Sequence, residues 1–395
     1  MEITQNIIQD YDKYVMNTYT RSPIVLVKGK GSKVWDAEGN EYLDFFPGWG
    51  VSGLGHAPVN VIKAVKEQAK KLIHVSNNYY NELAGKLAQK IIEHSFDGKV
   101  FFCNSGAEAV EGAIKLARAY GNPARYEIIT MQNSFHGRTL AAITATAQEK
   151  YQKGFEPLVS GFIHVPFNDI EAVRKNLSDK TVAVMLELIQ GEGGINVADK
   201  DYVADLRKLC DERNILLIFD EVQTGIGRTG EMFCFKHYGV LPDIMTLAKS
   251  LGGGVPIGAM VANRKIADTL KPGMHASTFG GGPLVCAAAL ATFETIEEKK
   301  LLSNVAGLGE YLFKKLSKLK KKYPIIKEIR GKGLMIGIEL TKPGKPVVEK
   351  CIEKRLLINC THEAVLRLLP ALSATRKESK KALAILEEVL REASA

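Results

Sequence analysis

Along the central part of the chain, short apolar runs alternate with longer stretches whose apolar residues recur every three to four positions. Val100-Phe101-Phe102-Cys103, Glu127 to Met131, Phe162 to Val165, Val182 to Leu186, Ile215 to Phe219 and Ile257 to Val261 read as strands. Ala107 to Tyr120 and Tyr202 to Arg213 read as helices, the first with Ala113, Leu116 and Ala117 on its inner face. Near-continuous apolar strands alternating with helices predict an α/β fold, a mostly parallel sheet covered on both faces. Chemistry in such a sheet belongs at the carboxyl ends of the strands. The flanks differ. Residues 24–45 carry Val25-Leu26-Val27, Lys33 to Asp36 and Glu41 to Asp44 between turns, which predicts an antiparallel meander. Beyond residue 295 come a long basic helix, a strand over Met335 to Leu340 and a helix from Lys377 onward. The expected organisation is an N-terminal segment, 1–50, contributing to a small α+β domain. A large domain follows over 51–294, and the rest of the small domain over 295–395.

A length of 395 residues agrees with two domains at roughly 100–200 residues each. Hydrophobic residues at 46% and charged residues at 25% fit a soluble globular chain. No apolar run approaches the roughly 18 residues needed to cross a bilayer. Met1 to Asn6 offer neither a basic nor an apolar signal segment, so cytoplasmic residence without a membrane partner is expected. None of the six cysteines forms a CxxC pair, and the eight histidines show no HxxxH or HExxH spacing. Reduced thiols and no metal are therefore expected. The net charge of +9 includes a dense basic run, Lys314 to Lys322. It could be a nucleic-acid patch or the solvated face of an amphipathic helix whose Leu308, Leu312, Leu316 and Leu319 are buried. Without interleaved aromatics or a recognisable DNA-binding motif, the solvated face is expected, and no nucleic-acid partner.

Four segments could carry chemistry. Asn104-Ser105-Gly106-Ala107-Glu108 follows a strand and opens a helix, where free N–H groups and the helix dipole favour an anion. An ordinary Ser cap would look the same. Asp220-Glu221-Val222-Gln223 ends the most apolar strand, and a carboxylate there is costly without a cationic partner or a site to serve. Leu247-Ala248-Lys249-Ser250-Leu251-Gly252-Gly253-Gly254 sets a lysine among small residues, where desolvation can make its amine nucleophilic. Phe135-His136-Gly137-Arg138-Thr139 brings an aromatic face close to a guanidinium.

Together with Gln190-Gly191-Glu192-Gly193-Gly194 and the continuation of the Asp220 segment to Gly230, these segments resemble the class III aminotransferases. Those are pyridoxal-phosphate enzymes of fold type I, the aspartate-aminotransferase type. The resemblance runs from about Tyr14 to the C-terminal helix and is nearest to the members acting on N-acetylornithine, with those acting on ornithine next. It implies that Lys249 forms a Schiff base with pyridoxal 5′-phosphate and shuttles the proton. Asp220 would hold the ring nitrogen protonated, so that the ring can act as an electron sink. Gln223 would serve the phenolic oxygen and Phe135 the ring face, while Ser105, Gly106 and Ala107 would hold the phosphate. Glu221 and Val222 complete the implied cofactor contacts. Thr278, in His275-Ala276-Ser277-Thr278-Phe279-Gly280, would reach the phosphate in the partner subunit, implying a homodimer with shared sites. Arg138 and Ser277 would bind substrate. Glu192 would pair with Arg367 of Leu366-Arg367-Leu368-Leu369-Pro370 and release it when a second carboxylate enters. The implied reaction converts N-acetylornithine and 2-oxoglutarate to N-acetylglutamate semialdehyde and glutamate, in arginine synthesis.

The sequence also departs from the family pattern. Leu188 stands where Pro is usual after Glu187, while Val110 and Gly282 replace common Asn residues. Trp49 occupies a place usually held by a smaller residue; it could reshape the substrate pocket or pack the domain junction. Ornithine, 4-aminobutyrate, N-succinylornithine and aminomutase chemistry remain alternatives on the same fold. A non-catalytic ligand-sensing or nucleic-acid-binding protein is the alternative from another class; it would need a lost lysine or an added domain, and neither is present.

Overall fold

The structure, a computed structural model, describes residues 2–394. Met1 and Ala395, the outer limits of the expected segments 1–50 and 295–395, lie outside the described residues. The centre is a seven-stranded sheet in the order Gly98–Cys103, Gly258–Asn263, Ile244–Leu247, Leu216–Asp220, Thr181–Leu186, Glu127–Met131, Phe162–Val165. Of the six neighbouring pairs two are antiparallel, because Gly258–Asn263 runs opposite to both its neighbours. The strands from Ile244–Leu247 outward to Phe162–Val165 pair in parallel.

Every residue of Thr181–Leu186 and Leu216–Asp220 is buried, because alternate side chains enter different cores. Val184, Leu186, Leu217 and Phe219 join one cluster; Met185, Leu216 and Ile218 join the other. The second cluster is closed by the helix Gly106–Gly121, through Val110, Ala113, Ile114 and Ala117. The first receives Val203, Leu206 and Leu209 of the helix Lys200–Arg213. Ile244–Leu247 does not stand out in the sequence, being four residues long with Thr246 inside it, yet all four are buried.

The N-terminal meander forms as expected, antiparallel over Leu26–Lys30, Lys33–Asp36 and Glu41–Asp44. A fourth strand, Leu356–Leu357, joins it in parallel from far along the chain. A second four-stranded sheet, Ile326–Lys332, Met335–Leu340, Val365–Leu368 and Asn359–Thr361, carries Arg367 on its third strand. The expected boundary between 294 and 295 falls inside one continuous helix, Pro283–Glu298. The basic stretch is the helix Leu301–Lys322, with Leu308, Leu312, Leu316 and Leu319 buried and its lysines outward, as its period predicts.

Candidate active site

The loops that leave the carboxyl ends of five central-sheet strands line one cavity of about 440 Å³. Gly106 and Ala107 follow the first strand, and Phe135 to Arg138 follow Glu127–Met131. Glu187 follows Thr181–Leu186, Asp220 ends its own strand, and Lys249 lies two residues beyond Leu247. Adjacent parallel strands deliver these side chains to the same edge, which is why residues over a hundred positions apart meet.

Asp220 is buried, and each of its oxygens is engaged. Oδ1 accepts from the Val222 N–H and the Thr246 hydroxyl, both at 3.1 Å, and Oδ2 lies 2.7 Å from His136 Nδ1. His136 is thus the cationic partner that the buried carboxylate requires. Burial works against its protonation, but the bond to Asp220, that carboxylate's charge and the charge of Glu187 together raise its pKa above the ordinary value. Its Nε2 is buried and has no partner among the described residues. Glu187 accepts from the Phe135 and Gly191 N–H groups at 2.9 Å each. Burial pushes its pKa up to about 7, opposed by His136.

Lys249 has φ of +43°, a left-handed conformation that costs a non-glycine residue about 1–3 kcal/mol. Ser250 anchors the turn by donating to the Gly50 carbonyl at 2.6 Å. The side chain is half-buried, its accessible part lining the cavity. Burial lowers its pKa, an effect that nearby Glu192 reduces and Arg367 reinforces. A lysine so placed has a larger neutral, nucleophilic fraction than one in water.

At the helix start, Ser105 both caps and is capped. Its Oγ accepts from the Glu108 N–H at 3.2 Å, while Glu108 accepts from the Asn104 N–H at 2.9 Å. The Gly106 and Ala107 N–H groups have no acceptor among the described residues, so the helix presents two free donors to the cavity. Gly258 allows this loop to approach the sheet: a Cβ there would lie 2.3 Å from the Ser105 carbonyl oxygen.

Arg138 lines the cavity, and Arg367 lies behind it against the lining residues Glu192 and Gln223. Arg367 is fully buried, with Nη1 2.6 Å from Glu192 Oε1 and donating to the Gly191 carbonyl at 3.1 Å and to Gln223 Oε1 at 3.3 Å. Asn359 Oδ1 accepts from its Nη2 at 2.8 Å. Burial raises the Glu192 pKa, but Arg367 outweighs burial and holds it below the ordinary value. A Cβ at Gly191 would sit 2.3 Å from Gln223 Oε1, so a larger residue there would displace the Gln223 amide that meets Arg367. Arg138, by contrast, is exposed, with its guanidinium carbon 4.2 Å from the centre of the Tyr151 ring and 5.6 Å from that of Phe135.

Several expected residues lie elsewhere. Glu221 points away from the cavity; its carboxylate accepts from the Cys234 N–H at 2.6 Å and the Phe235 N–H at 2.7 Å, and so belongs to the scaffold. Val222 does line the cavity. Ser277 and Thr278 do not line it: Ser277 accepts from Asn104 at 3.2 Å at the rim, and Thr278 is exposed. Trp49, 48% exposed, packs edge-on against Phe46 rather than lining the pocket. His136 and Glu187 received no role from the sequence, and Tyr151, Thr246 and Asn359 drew no notice. The need of Asp220 for a cation is the signal that could have found His136.

The chain matches the family described as Aminotransferase class-III over residues 14–390. It is 56% identical to an acetylornithine aminotransferase of Caldanaerobacter subterraneus over 96% of this chain and 98% of that one. It is 54% identical to an acetylornithine aminotransferase of Methanocaldococcus jannaschii, covering 98% of each. Among solved structures, an ornithine aminotransferase of Toxoplasma gondii, described with partial occupancy of pyridoxal phosphate at its active site, superposes with a TM-score of 0.94. That match has 35% identity and covers 98% of this chain and 94% of the other. The chain belongs to the class III aminotransferases, and its fold is theirs.

Proposed function

We propose that the protein transfers the terminal amine of N-acetylornithine to 2-oxoglutarate, giving N-acetylglutamate semialdehyde and glutamate, in the cytoplasm, as a step of arginine synthesis. The supporting observation is how the cavity's acids are committed. Asp220 is bound by His136, Glu187 by two backbone N–H groups, and Glu192 by Arg367. No other carboxylate lines the cavity among the described residues. A free α-ammonium would enter without a counter-charge, whereas an acylated nitrogen carries none. Trp49, for which the sequence left pocket and domain junction open, is not among the cavity's lining residues.

The cofactor of this family, pyridoxal 5′-phosphate, supplies an electron sink beside the carbon that bears the amine. The residues present fit it. Gly106 and Ala107 offer two free N–H groups to a phosphate, with Ser105 beside them. The amide nitrogen of Gln223 makes only a 3.5 Å contact with the Trp49 carbonyl, leaving a donor for a phenolic oxygen. Phe135 and Val222 line the cavity and would face the ring, and Asp220, steadied by His136 and Thr246, would keep a ring nitrogen protonated. With the cofactor bound, the Lys249 amine would be the nucleophile that holds it and then the base that takes the proton from the amine-bearing substrate carbon and returns it to the cofactor. Arg138, which lines the cavity, would hold the substrate carboxylate end, and Arg367, released by Glu192, would take the second carboxylate of glutamate.

We further propose a homodimer in which Thr278 serves the partner's site. Asn77 holds the Thr278 loop by donating to the Ser277 and Gly280 carbonyls at 3.1 and 3.0 Å. Ile73, Tyr79, Tyr80 and Phe279, all close to that loop in sequence or contact, leave large apolar surfaces exposed on one chain. Such a surface is suited to a second copy.

The test compares kcat/KM for N-acetylornithine and ornithine side by side. A preference for N-acetylornithine of at least about tenfold is expected, roughly 1.4 kcal/mol. Equal or better use of free ornithine would overturn the substrate assignment.

A further inference from the structure

A second concavity, of about 460 Å³, lies between the helix Leu301–Lys322 and the helix Arg376–Ser394. Its lining is Tyr311, Lys314, Lys315, Lys318, Arg376 and Lys380, and it shares no residue with the active-site cavity. Tyr311, Lys314, Lys315 and Lys318 fall on one face of the first helix at spacings of three and four. Arg376 and Lys380, four apart, fall on one face of the second. Five positive charges therefore surround a single hollow.

Elsewhere charges on these two helices are paired. Lys322 pairs with Glu387 at 2.7 Å, and Lys354 pairs with Glu388 at 2.8 Å from the adjoining helix Lys345–Glu353 and its exit turn. No such pair forms in the hollow among the described residues. Glu310, one turn before Lys314, makes no ion pair with it, and Glu378 is consumed as a cap, accepting from the Thr375 N–H and hydroxyl at 2.7 Å each. Like charges one helical turn apart oppose the helix, so the arrangement does nothing for folding. Tyr311 organises the cations: the Arg376 guanidinium lies 4.4 Å from its ring centre and the Lys315 ammonium 5.8 Å.

We propose that this hollow binds a compact oligophosphate, a small molecule with two or more adjacent phosphate groups, recognised by charge rather than by a base. The size of the hollow and the convergence of both helix faces favour a compact anion over an extended one. Charges concentrated in one concavity focus a field that scattered surface lysines do not. The inference is independent of which amine the enzyme uses.

Calorimetric titration of the cofactor-loaded enzyme, whose own phosphate site is filled, tests it. Inorganic tripolyphosphate is the first probe and ATP the second, both without divalent metal at low salt. Saturable binding is expected at one site per chain with Kd below about 1 mM, weakening as salt screens the lysines. Comparable binding of both probes identifies phosphate as the recognised group, and at least tenfold tighter ATP would overturn recognition by charge alone. The variant Lys314→Glu/Lys318→Glu/Lys380→Glu should bind tripolyphosphate at least tenfold more weakly with kcat unchanged. The milder Arg376→Gln/Lys380→Gln should lose binding in part, which covers a folding failure of the first. A control with the same charge change on exposed lysines elsewhere, Lys175→Glu/Lys180→Glu/Lys299→Glu, should retain binding. Absence of saturable binding, equal loss in the control, or a 20-base-pair duplex that displaces tripolyphosphate at lower concentration would each overturn the proposal.

Discussion

Arg138 and Arg367, the two arginines proposed to receive carboxylates, stand under opposite conditions. Arg138 is exposed, makes no ion pair among the described residues, and is held by aromatic faces at 4.2 and 5.6 Å. Arg367 has no exposed surface, and a carboxylate, a backbone carbonyl and two side-chain amides take up its donors. An exposed guanidinium can wait for a carboxylate because water solvates it meanwhile. A buried one cannot, since an unpaired buried charge costs several kcal/mol. The difference teaches that a site accepting both a monocarboxylate and a dicarboxylate needs one permanent carboxylate receptor and one that carries its own replaceable counter-ion. In the proposed function Glu192 is that counter-ion; its side chain is 18% exposed, whereas that of Arg367 is fully buried.

The largest effect expected from breaking this contrast is at the buried member. Arg367→Ala strands Glu192 in a mostly enclosed site and removes the anchor of Gln223 and Asn359. Unfolding free energy should fall by about 3–5 kcal/mol, read from denaturant curves. kcat/KM for 2-oxoglutarate should drop more than that for N-acetylornithine. Arg138→Ala is the converse: stability within about 0.5 kcal/mol of the parent, because no ion pair is lost, but kcat/KM down by about 2–4 kcal/mol for both substrates. If the two variants gave the same pattern of losses, the division between permanent and replaceable receptors would be wrong.

The scaffold side of this arrangement was legible in the sequence, and much of the electrostatic side was not. Fully apolar strands announced the central sheet, and the small-residue setting of Lys249 announced the nucleophile. Ile244–Leu247 escaped because four residues with a threonine carry too little period to be read. Glu192 and Arg367 came from resemblance, and no local pattern could bring residues 175 positions apart together. Glu221 was assigned to the cofactor because it neighbours Asp220, but successive residues leaving a strand point to opposite sides, and its carboxylate turns to the Cys234 and Phe235 N–H groups. Tyr151 and Asn359 act only through three-dimensional neighbours, and nothing in their sequence surroundings marks them.

A smaller effect should follow Glu192→Gln, which keeps an oxygen for Arg367 but removes the charge. Because Arg367 depresses the Glu192 pKa in the folded protein, the carboxylate contributes stability above its unfolded pKa of about 4.3. That contribution is lost as pH falls through the lower folded value. Wild type should therefore exceed the variant by about 1–2 kcal/mol at neutral pH. The gap should close as the solution is acidified, measured by denaturant titration at a series of pH values. A gap independent of pH would mean that packing rather than charge holds the pair. With Arg367 less firmly neutralised, the variant should also use 2-oxoglutarate relatively better than N-acetylornithine.

The smallest expected effect sharpens the other half of the contrast. If Arg138 is oriented by Tyr151 rather than by an ion pair, then removing the ring while keeping bulk should loosen the guanidinium without removing it. A cation over an aromatic face contributes about 0.5–1 kcal/mol at an exposed site. Tyr151→Leu should therefore lower kcat/KM by about two- to fivefold, and equally for N-acetylornithine and 2-oxoglutarate, since Arg138 receives a carboxylate from each. Tyr151→Phe retains the ring face and should stay within about twofold of the parent. The Tyr151 hydroxyl makes no hydrogen bond among the described residues, so nothing else separates the two variants. Loss in the phenylalanine variant as large as in the leucine variant would exclude the ring face as the cause. A loss confined to one substrate would mean that Tyr151 touches that substrate directly rather than acting through Arg138.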